Sequence, residues 1–349
     1  MSGFLTPEFG ISVLMPVHNA GNYLDVAVNS VLHQYGVQFE LIIIDDSSTD
    51  TALSQLPSDT RIRRLSSPVR GIVAALNLGL KHARFPYIAR MDADDIADPK
   101  RLFTQLNHFQ KNPELDICGT KVKLFCDQGL IGEGYRHYQQ WINSLCTPTD
   151  IEREFFVESP IPHPSVMLRR EYLNSLGGYN DSEWPEDYDL WCRALIANAK
   201  FGKPDEPDLL LWRDHQGRLS RSNIRYGKQM FLRCKAHYLT KYLEQKGIDS
   251  CTILGAGPTG LKLHDYLEQN GLQVKGFIDI NMKLKGRQKR SKAVKILAPE
   301  PNNSQLIEHI DQSQSIIIAA VSSRGAREKI RRHLNNSTLV EQRDYIFAA

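Results

Sequence analysis

Residues 88–102 read IARMDADDIADPKRL, an apolar run that ends in three carboxylates within four positions, Asp92, Asp94 and Asp95. Like charges packed this tightly repel one another. Two readings account for the spacing: a solvated acidic turn that caps the next helix, or a group completed by a cation. The choice between them depends on what the rest of the chain builds around the stretch.

Upstream, residues 11–91 alternate strand and helix signals. ISVLMP is a short apolar run ending at a proline, and NYLDVAVNSVLHQ spaces Leu24, Ala27, Val28, Val31 and Leu32 along one helical face. FELIII reads as a buried strand ending at Asp45-Asp46, and SSTDTALSQL opens with N-cap residues that predict the next helix. IRRL predicts a strand, GIVAALNLGLKHA a helix and YIARM another strand. This order predicts an α/β fold with a mostly parallel sheet and helices on both faces. Ligands of such sheets bind beyond the carboxyl ends of the strands. The polar clusters HNAGN, DDSSTD and DADD each follow a strand, so they are expected on one rim.

Downstream the pattern is less regular. ICGTKVKLF predicts strand, TDIEREFF helix, and EDYDLWCRALIAN a helix with acids in its first turn, where the macrodipole favours them. A long helix over SRSNIRYGKQMFLRCKAHYLTKYLEQKG ends at Gly247 and is expected to link two domains. A fresh alternation begins at CTILGAGPTG, with a helix to Asn270, Gly271 as its C-cap, the strand VKGFID, a later strand SIIIAAV and the helix REKIRRHLN. The expected organisation is a first domain over residues 1–221, a helical linker over 222–247 and a smaller α/β domain over 248–349.

Bulk properties narrow the class. The 349 residues are enough for two cores, and 41% apolar and 24% charged residues with a formal net charge of +3 describe an ordinary globular protein. No apolar run approaches the roughly eighteen residues of a membrane span. The start, MSGFLTPEFGISVLMPV, lacks the basic region of a signal peptide. Six cysteines without a CxxC pair read as reduced thiols, and the expected location is cytoplasmic. The basic stretch KLKGRQKRSKAVK, residues 283–295, reads as a solvated loop, with acidic lipid headgroups or a phosphorylated acceptor as the alternative partners. No aromatics interleave it, so nucleic acid is not expected.

Asp92 and Asp94, one residue apart at a strand end, can offer oxygens to one hard divalent cation, magnesium or manganese. Asp46 could accept an N–H from a nucleobase, and Asp187 a proton from a nucleophile. Each pattern alone has a bland counterpart: a capping turn for the triplet, a helix start for Asp45-Asp46 and for Glu186-Asp187. Order and spacing across all of them favour chemistry.

ISVLMPVHNAGNYLDVAVNSVLHQ, LIIIDDSSTD, GIVAALNLGL, YIARMDADDIADPKRL and EDYDLWCRAL resemble, in sequence and in order, the family 2 glycosyltransferases of GT-A fold. The likeness runs from about Ile11 to Ser222. It implies a metal-dependent, inverting transfer from a nucleotide-diphosphate sugar, UDP-linked, to a saccharide or lipid-linked acceptor, for surface polysaccharide or other glycoconjugates. Pro16, His18 and Asn19 would line the nucleotide pocket, Asp46 would hold the base edge and Arg70 would reach the diphosphate. Asp92, Asp94 and Asp95 would hold the metal and the ribose–diphosphate region, with Asp187 as general base and Glu186 beside it. LLLWRDHQGRLSRSN resembles the segment that closes over the donor, with Arg213, His215 and Ser220 at matching positions and His215 as a phosphate or metal neighbour. His163, in HPSVMLRR, and Trp184 are acceptor-side candidates. The acceptor implies a place at the inner face of the membrane.

In the second domain, Gly255, Gly257 and Gly260 form a GxGxxG between strand and helix, and Asp279 ends the next strand about where a ribose-binding acid is expected. The segment resembles Rossmann-like nucleotide-binding segments found beside sugar-modifying acetyltransferases and in dehydrogenases, which implies a bound nucleotide or dinucleotide. The alternative is a turn kept for packing. For the whole chain the rival readings are a nicotinamide-dependent oxidoreductase centred on these glycines and a non-catalytic nucleotide-sugar sensor.

Overall fold

The computed structural model describes residues 6–296, 315–337 and 339–349. The chain forms two compact units, Met1–Ile151 with Pro160–Asn223 and Glu152–Ser159 with Ile224–Ala349.

In the first unit the strands are β1 (Ile11–Val17), β2 (Phe39–Asp45), β3 (Ile62–Ser66), β4 (Tyr87–Arg90), β5 (Ile96–Ala97), β6 (Ile117–Cys118), β7 (Val122–Phe125), β8 (Met167–Arg169), β9 (Phe201–Gly202) and β10 (Leu210–Arg213). Seven of them form one sheet in the order β3-β2-β1-β4-β8-β6-β9, and β5-β10-β7 form a small second sheet. The first four strands of the large sheet run parallel, and β8 lies antiparallel to both its neighbours. The fold class is the mixed α/β one with a mostly parallel sheet that the alternation predicts. β1 and β2 are buried on both faces, as covered parallel strands require. Helix α1 (Tyr23–Leu32) buries Leu24, Ala27, Val28 and Val31. Helix α2 (Ile72–His82) approaches the sheet so closely that a Cβ on Gly79 would stand 2.9 Å from the Ile44 side chain.

Strand register sets the rim. Val17 pairs with Asp45 and Leu14 with Arg90, so the residues after β1, β2 and β4 emerge side by side at the carboxyl edge. β1 pairs one residue past Pro16, the proline at which the apolar run was expected to stop.

Two expectations need correction. SSTDTALSQL forms only a short 3-10 turn, Ala52–Gln55, instead of a helix. Its polar groups are engaged elsewhere: the Thr49 N–H donates to Asn19 Oδ1 at 2.7 Å, and Asp50 Oδ2 accepts the Gly21 N–H at 2.8 Å. They clamp the loop after β1 and leave no cap for a helix. The expected linker is the second correction. Leu219–Ser222 is a separate short helix and Ile224–Tyr226 a 3-10 turn. The long helix begins only at Lys228 and belongs to the second unit, burying Leu232, Ala236, Leu239 and Leu243. Its Lys235 Nζ donates to the Val157 and Ala348 carbonyls at 2.9 and 2.8 Å.

The second unit carries β11 (Ser250–Leu254), β12 (Gln273–Asp279), β13 (Gln288–Lys289), β14 (Lys292–Ile296), β15 (Ser315–Ala319) and β16 (Tyr345–Phe347) in the order β13-β14-β12-β11-β15-β16. All pairings are parallel except that of the edge strand β13. All six cysteines are free thiols. No helix among the described residues is long and apolar enough to cross a membrane.

Glu40 fastens the amino edge of the first sheet. Its Oε1 accepts from Ser12 Oγ at 2.7 Å and from the Arg84 N–H at 2.8 Å, and its Oε2 pairs with Arg63 at 2.7 Å. Glu40 is 5% exposed, so Glu40→Ala strands buried donors. The expected cost is about 3 kcal/mol, or a fall of roughly 6–12 °C in the unit's unfolding temperature. A thermal melt with no shift would remove the clamp from the account.

Candidate active site

Just past β4, carboxylate oxygens of Asp92, Asp94 and Asp95 lie within 4.8 Å of one another. Asp95 is 1% exposed, whereas Asp92 and Asp94 keep part of their side chains open to solvent. Arg90 Nη1 meets Asp92 Oδ1 at 2.5 Å, and His215 Nε2 lies 2.8 Å from Asp94 Oδ2. Arg213, at the end of β10, donates its backbone N–H to Asp95 Oδ1 at 2.8 Å and its Nε–H to the Asp94 carbonyl at 2.6 Å. Its guanidinium lies 4.4 Å from the ring centroids of both Tyr23 and Phe125 and pairs with Asp127.

Asp95 Oδ2 is buried and has no hydrogen-bond partner among the described residues. Burial, with Asp92 and Asp94 adding repulsion, pushes the Asp95 carboxyl well above the usual carboxylate range. Burial and then Asp92 also raise Asp94. Burial opposes the charge on Asp92 too, but Arg90, His163 and Arg218 outweigh it and hold that carboxyl low. An orphaned buried oxygen inside a three-acid group fits a hard divalent cation with oxygen ligands. The capping alternative does not fit. Helix α3 (Arg101–Lys111) starts beyond the triplet, and the N–H of its N-cap residue Lys100 goes to Asp98 Oδ1 at 2.9 Å, not to one of the three acids.

Arg90 itself is 2% exposed. Its charge answers Asp92 and Glu186. Glu186 and Asp187 open the helix Glu186–Ile196, and Glu186 is almost fully buried. His163 is buried against them: Nδ1 lies 3.6 Å from Glu186 Oε1 and Nε2 lies 3.0 Å from the Tyr179 hydroxyl. Asp187 Oδ1 accepts the Tyr188 N–H at 2.7 Å. Burial first, and Glu186 second, push the Asp187 carboxyl up to about 7. One buried guanidinium therefore ties the acids after β4 to a pair far downstream in sequence.

At the neighbouring strand ends, Asp46 is 8% exposed and its Oδ1 accepts the Gly71 N–H, which begins α2, at 2.7 Å. The Asp46 carbonyl accepts the Nδ1–H of His18 at 2.7 Å, which leaves His18 Nε2 to accept from Arg70 Nη2 at 3.2 Å. Arg70, expected at the diphosphate, lies against His18. Asn19 holds a positive φ of 50° while its Oδ1 ties down the 48–50 loop. Pro16 is half-buried at the end of β1.

Two acceptor-side expectations change. His163 lies beneath Glu186 and is 7% exposed, so it presents no surface to an acceptor. Trp184 turns its Nε1–H inward to Asp189 Oδ1 at 2.8 Å, which favours packing over a free sugar platform. Ser220 stands exposed in the short helix Leu219–Ser222. Arg90, Tyr179 and Arg218 were not singled out from sequence. The one available signal was a charged residue inside the apolar strand YIARM.

In the second unit Gly255 follows β11, Gly257 and Gly260 lie at the start of helix Pro258–Gln269, and Asp279 ends β12. Asp279 Oδ2 accepts the Ala256 N–H at 2.7 Å, so the acid and the glycine turn are joined.

In the first unit a mostly parallel sheet delivers carboxylates to one rim, with a second acid pair held across a buried arginine. Residues 12–177 match the family Glycosyl transferase family 2. The match ends before Glu186 and Asp187. An uncharacterized glycosyltransferase of Haemophilus influenzae is 29% identical over 248 residues, 68% of this chain and 76% of that protein. The O-antigen biosynthesis glycosyltransferase WbnJ of Escherichia coli is 28% identical over 247 residues, 68% of this chain and 91% of that protein. Residues 1–349 of TarS from S. aureus, solved in complex with UDP-GlcNAc, share the fold with a TM-score of 0.52 at 17% identity, covering 68% of this chain and 71% of that one.

The raised Asp95 fixes a sign. A carboxyl whose folded-state value lies above its unfolded one contributes stability at low pH and loses it as pH rises. The metal-free protein therefore loses stability above the ordinary carboxylate range, and a cation restores it. Adding manganese to chelator-treated protein is expected to stabilise the first unit by about 2.7 kcal/mol at a hundredfold excess over Kd. Asp94→Ala should lose most of that gain in a thermal-shift measurement, and an undiminished gain takes the metal role away from Asp94.

Proposed function

We propose that the first unit transfers a sugar, with inversion, from a nucleotide-diphosphate sugar to a hydroxyl of a saccharide or lipid-linked acceptor, in building surface polysaccharide. The observation that carries this reading is the shared guanidinium: Arg90 sets a candidate metal group and a candidate base within one electrostatic unit. The UDP-GlcNAc named for the S. aureus structure and the O-antigen synthesis named for the E. coli relative support a UDP-linked donor and a polysaccharide product. The reading places the protein in the cytoplasm, at the inner membrane face where a lipid-linked acceptor lies.

Asp92, Asp94 and Asp95, with His215 beside Asp94, would hold Mn2+ or Mg2+. When bound, the cation offsets the negative charge that a departing diphosphate gains. Asp46 keeps Oδ2 without a protein partner among the described residues and can accept an N–H from the base. His18 and Asn19, with Pro16, line the approach to it. Asp187 takes the proton of the acceptor hydroxyl as its oxygen bonds to the anomeric carbon and the bond to the diphosphate breaks. Attack opposite to departure inverts that carbon. Burial beside Glu186 gives Asp187 the proton affinity this step needs. Arg90 keeps the neighbouring Asp92 ionised while the base changes charge.

Asp187→Asn is expected to lower turnover by roughly a hundredfold or more while donor affinity survives. Near-normal turnover would rule Asp187 out as base. Because its carboxyl is raised to about 7, the base is protonated below that pH. kcat/KM should fall as pH drops through about 7, and a profile flat down to pH 5 would contradict the assignment.

A further inference from the structure

A histidine enclosed among polar groups has to settle which ring nitrogen carries its proton. His163 stands in the short 3-10 turn His163–Ser165, with Glu186 at one ring nitrogen and Tyr179 at the other. The three residues are 7%, 1% and 3% exposed, so the ring answers to these two neighbours.

Tyr179 is held in place by its backbone. Asn77, from α2, donates its Nδ2–H to the Tyr179 carbonyl at 2.8 Å and accepts the Tyr179 N–H on Oδ1 at 2.9 Å. Arg193, from the helix Glu186–Ile196, holds the preceding turn by donating to the Leu176 and Gly178 carbonyls at 2.7 and 2.9 Å. Gly178 has φ of +73°, and a Cβ on it would stand 2.7 Å from Asn77 Oδ1, so the clamp requires a glycine there. Burial pushes the Tyr179 hydroxyl above its usual range, so it keeps its proton. Its hydrogen-bond partner among the described residues is His163 Nε2, at 3.0 Å.

These contacts select a tautomer. With the Tyr179 O–H donating to Nε2, the ring proton sits on Nδ1, which lies 3.6 Å from Glu186 Oε1. The opposite tautomer would set an Nδ1 lone pair against a carboxylate. Burial first, and Arg90 second, lower the proton affinity of the imidazole, so the ring is neutral and has one N–H to give. At 3.6 Å the contact is electrostatic, and burial keeps salt from screening it.

Glu186 is in turn the second cause of the raised Asp187 carboxyl, after burial. Whatever holds the charge on Glu186 therefore acts on the proton affinity of Asp187. The ionisable groups facing the two acids are Arg90 from β4, Tyr179 and His163, while Arg193 faces Tyr179 and Asp92 faces His163. Arg90 is shared between Glu186 and Asp92. His163 turns its Nδ1–H to Glu186.

We infer that His163 is a positioning residue for the base: oriented by Tyr179, it presents Nδ1–H to Glu186, keeps that acid charged and so keeps Asp187 basic. The inference rests on Asp187 being the base.

Two measurements on the full chain test it. Nitrogen-15 NMR of the histidine rings, with the His163 signals assigned by their loss in His163→Gln, is expected to show a neutral ring protonated at Nδ1 near about pH 7. A ring protonated at Nε2, or at both nitrogens, overturns the inference. The second measurement is nucleotide release from UDP-GlcNAc with manganese as a function of pH. His163→Gln keeps a partner for Tyr179 but offers Glu186 no N–H. Glu186 then takes a proton more readily, its repulsion of Asp187 fades, and the acid limb of kcat/KM should move down by about one pH unit. His163→Asn returns an N–H near the place of Nδ1 and should return the limb. Tyr179→Phe, which removes one oxygen, should move the limb the same way by less, and it carries the comparison if His163→Gln loses UDP binding in calorimetry. A native limb that stays in place in these variants overturns the inference and leaves Asp187 as the base. A native profile with no acid limb removes the base, and the inference with it.

Discussion

Arg90 is charged, almost wholly enclosed and placed inside an apolar strand, and such a group is tolerated only where carboxylates answer it. Here they answer from two directions. Asp92 follows just past the end of the strand, and Glu186 comes from the start of the helix Glu186–Ile196. The consequences spread unevenly. Asp92, nearest the guanidinium, stays ionised, while Asp94 and Asp95 receive less compensation and are held toward the protonated form. The site is thus built short of positive charge on one side of Arg90. A divalent cation is the group that such a deficit, together with an orphaned Asp95 oxygen, accommodates. Asp187 lies beside the buried Glu186, and its own burial first, with repulsion from Glu186 second, keeps a proton near it.

The parallel core was legible because β1, β2 and β4 are covered on both faces and their sequences are continuous apolar runs that end in polar clusters. The rim followed from topology, since parallel neighbours end together. What the pattern concealed was partnership. Ser48, Thr49 and Asp50 have the residue types of a helix start, but their groups close onto Asn19 and Gly21. A capping signal records which side chains can satisfy backbone donors, not which donors they will satisfy. His163 and Trp184 misled in the same way, because an aromatic ring in a loop looks available until its nitrogens are seen bonded inward. Arg90 was overlooked since periodicity marks a buried position without naming the acid that makes its charge tolerable there.

The long helix shows a different limit. Its polar stretches and terminal glycine suggested a connector, yet Lys235 spends its charge on two buried carbonyls within the second unit. Lys235 is 4% exposed, so the helix is part of that unit's core. Lysine reads as surface in a sequence because its burial is rare. The exception could be found only once the carbonyls that solvate it were in place.

Both units present the carboxyl ends of parallel strands, but they arm that edge with opposite charge. In the first, Asp92, Asp94 and Asp95 gather where an anionic ligand would arrive, so the anion can be held only with a cation between. In the second, the edge offers backbone at Gly257 with Lys329 across a cavity, and the two oxygens of Asp279 accept the Ala256 and Asn281 N–H groups. The glycines have different tasks: Gly79 lets a helix close on the first sheet, and Gly255 and Gly260 close the turn of the second.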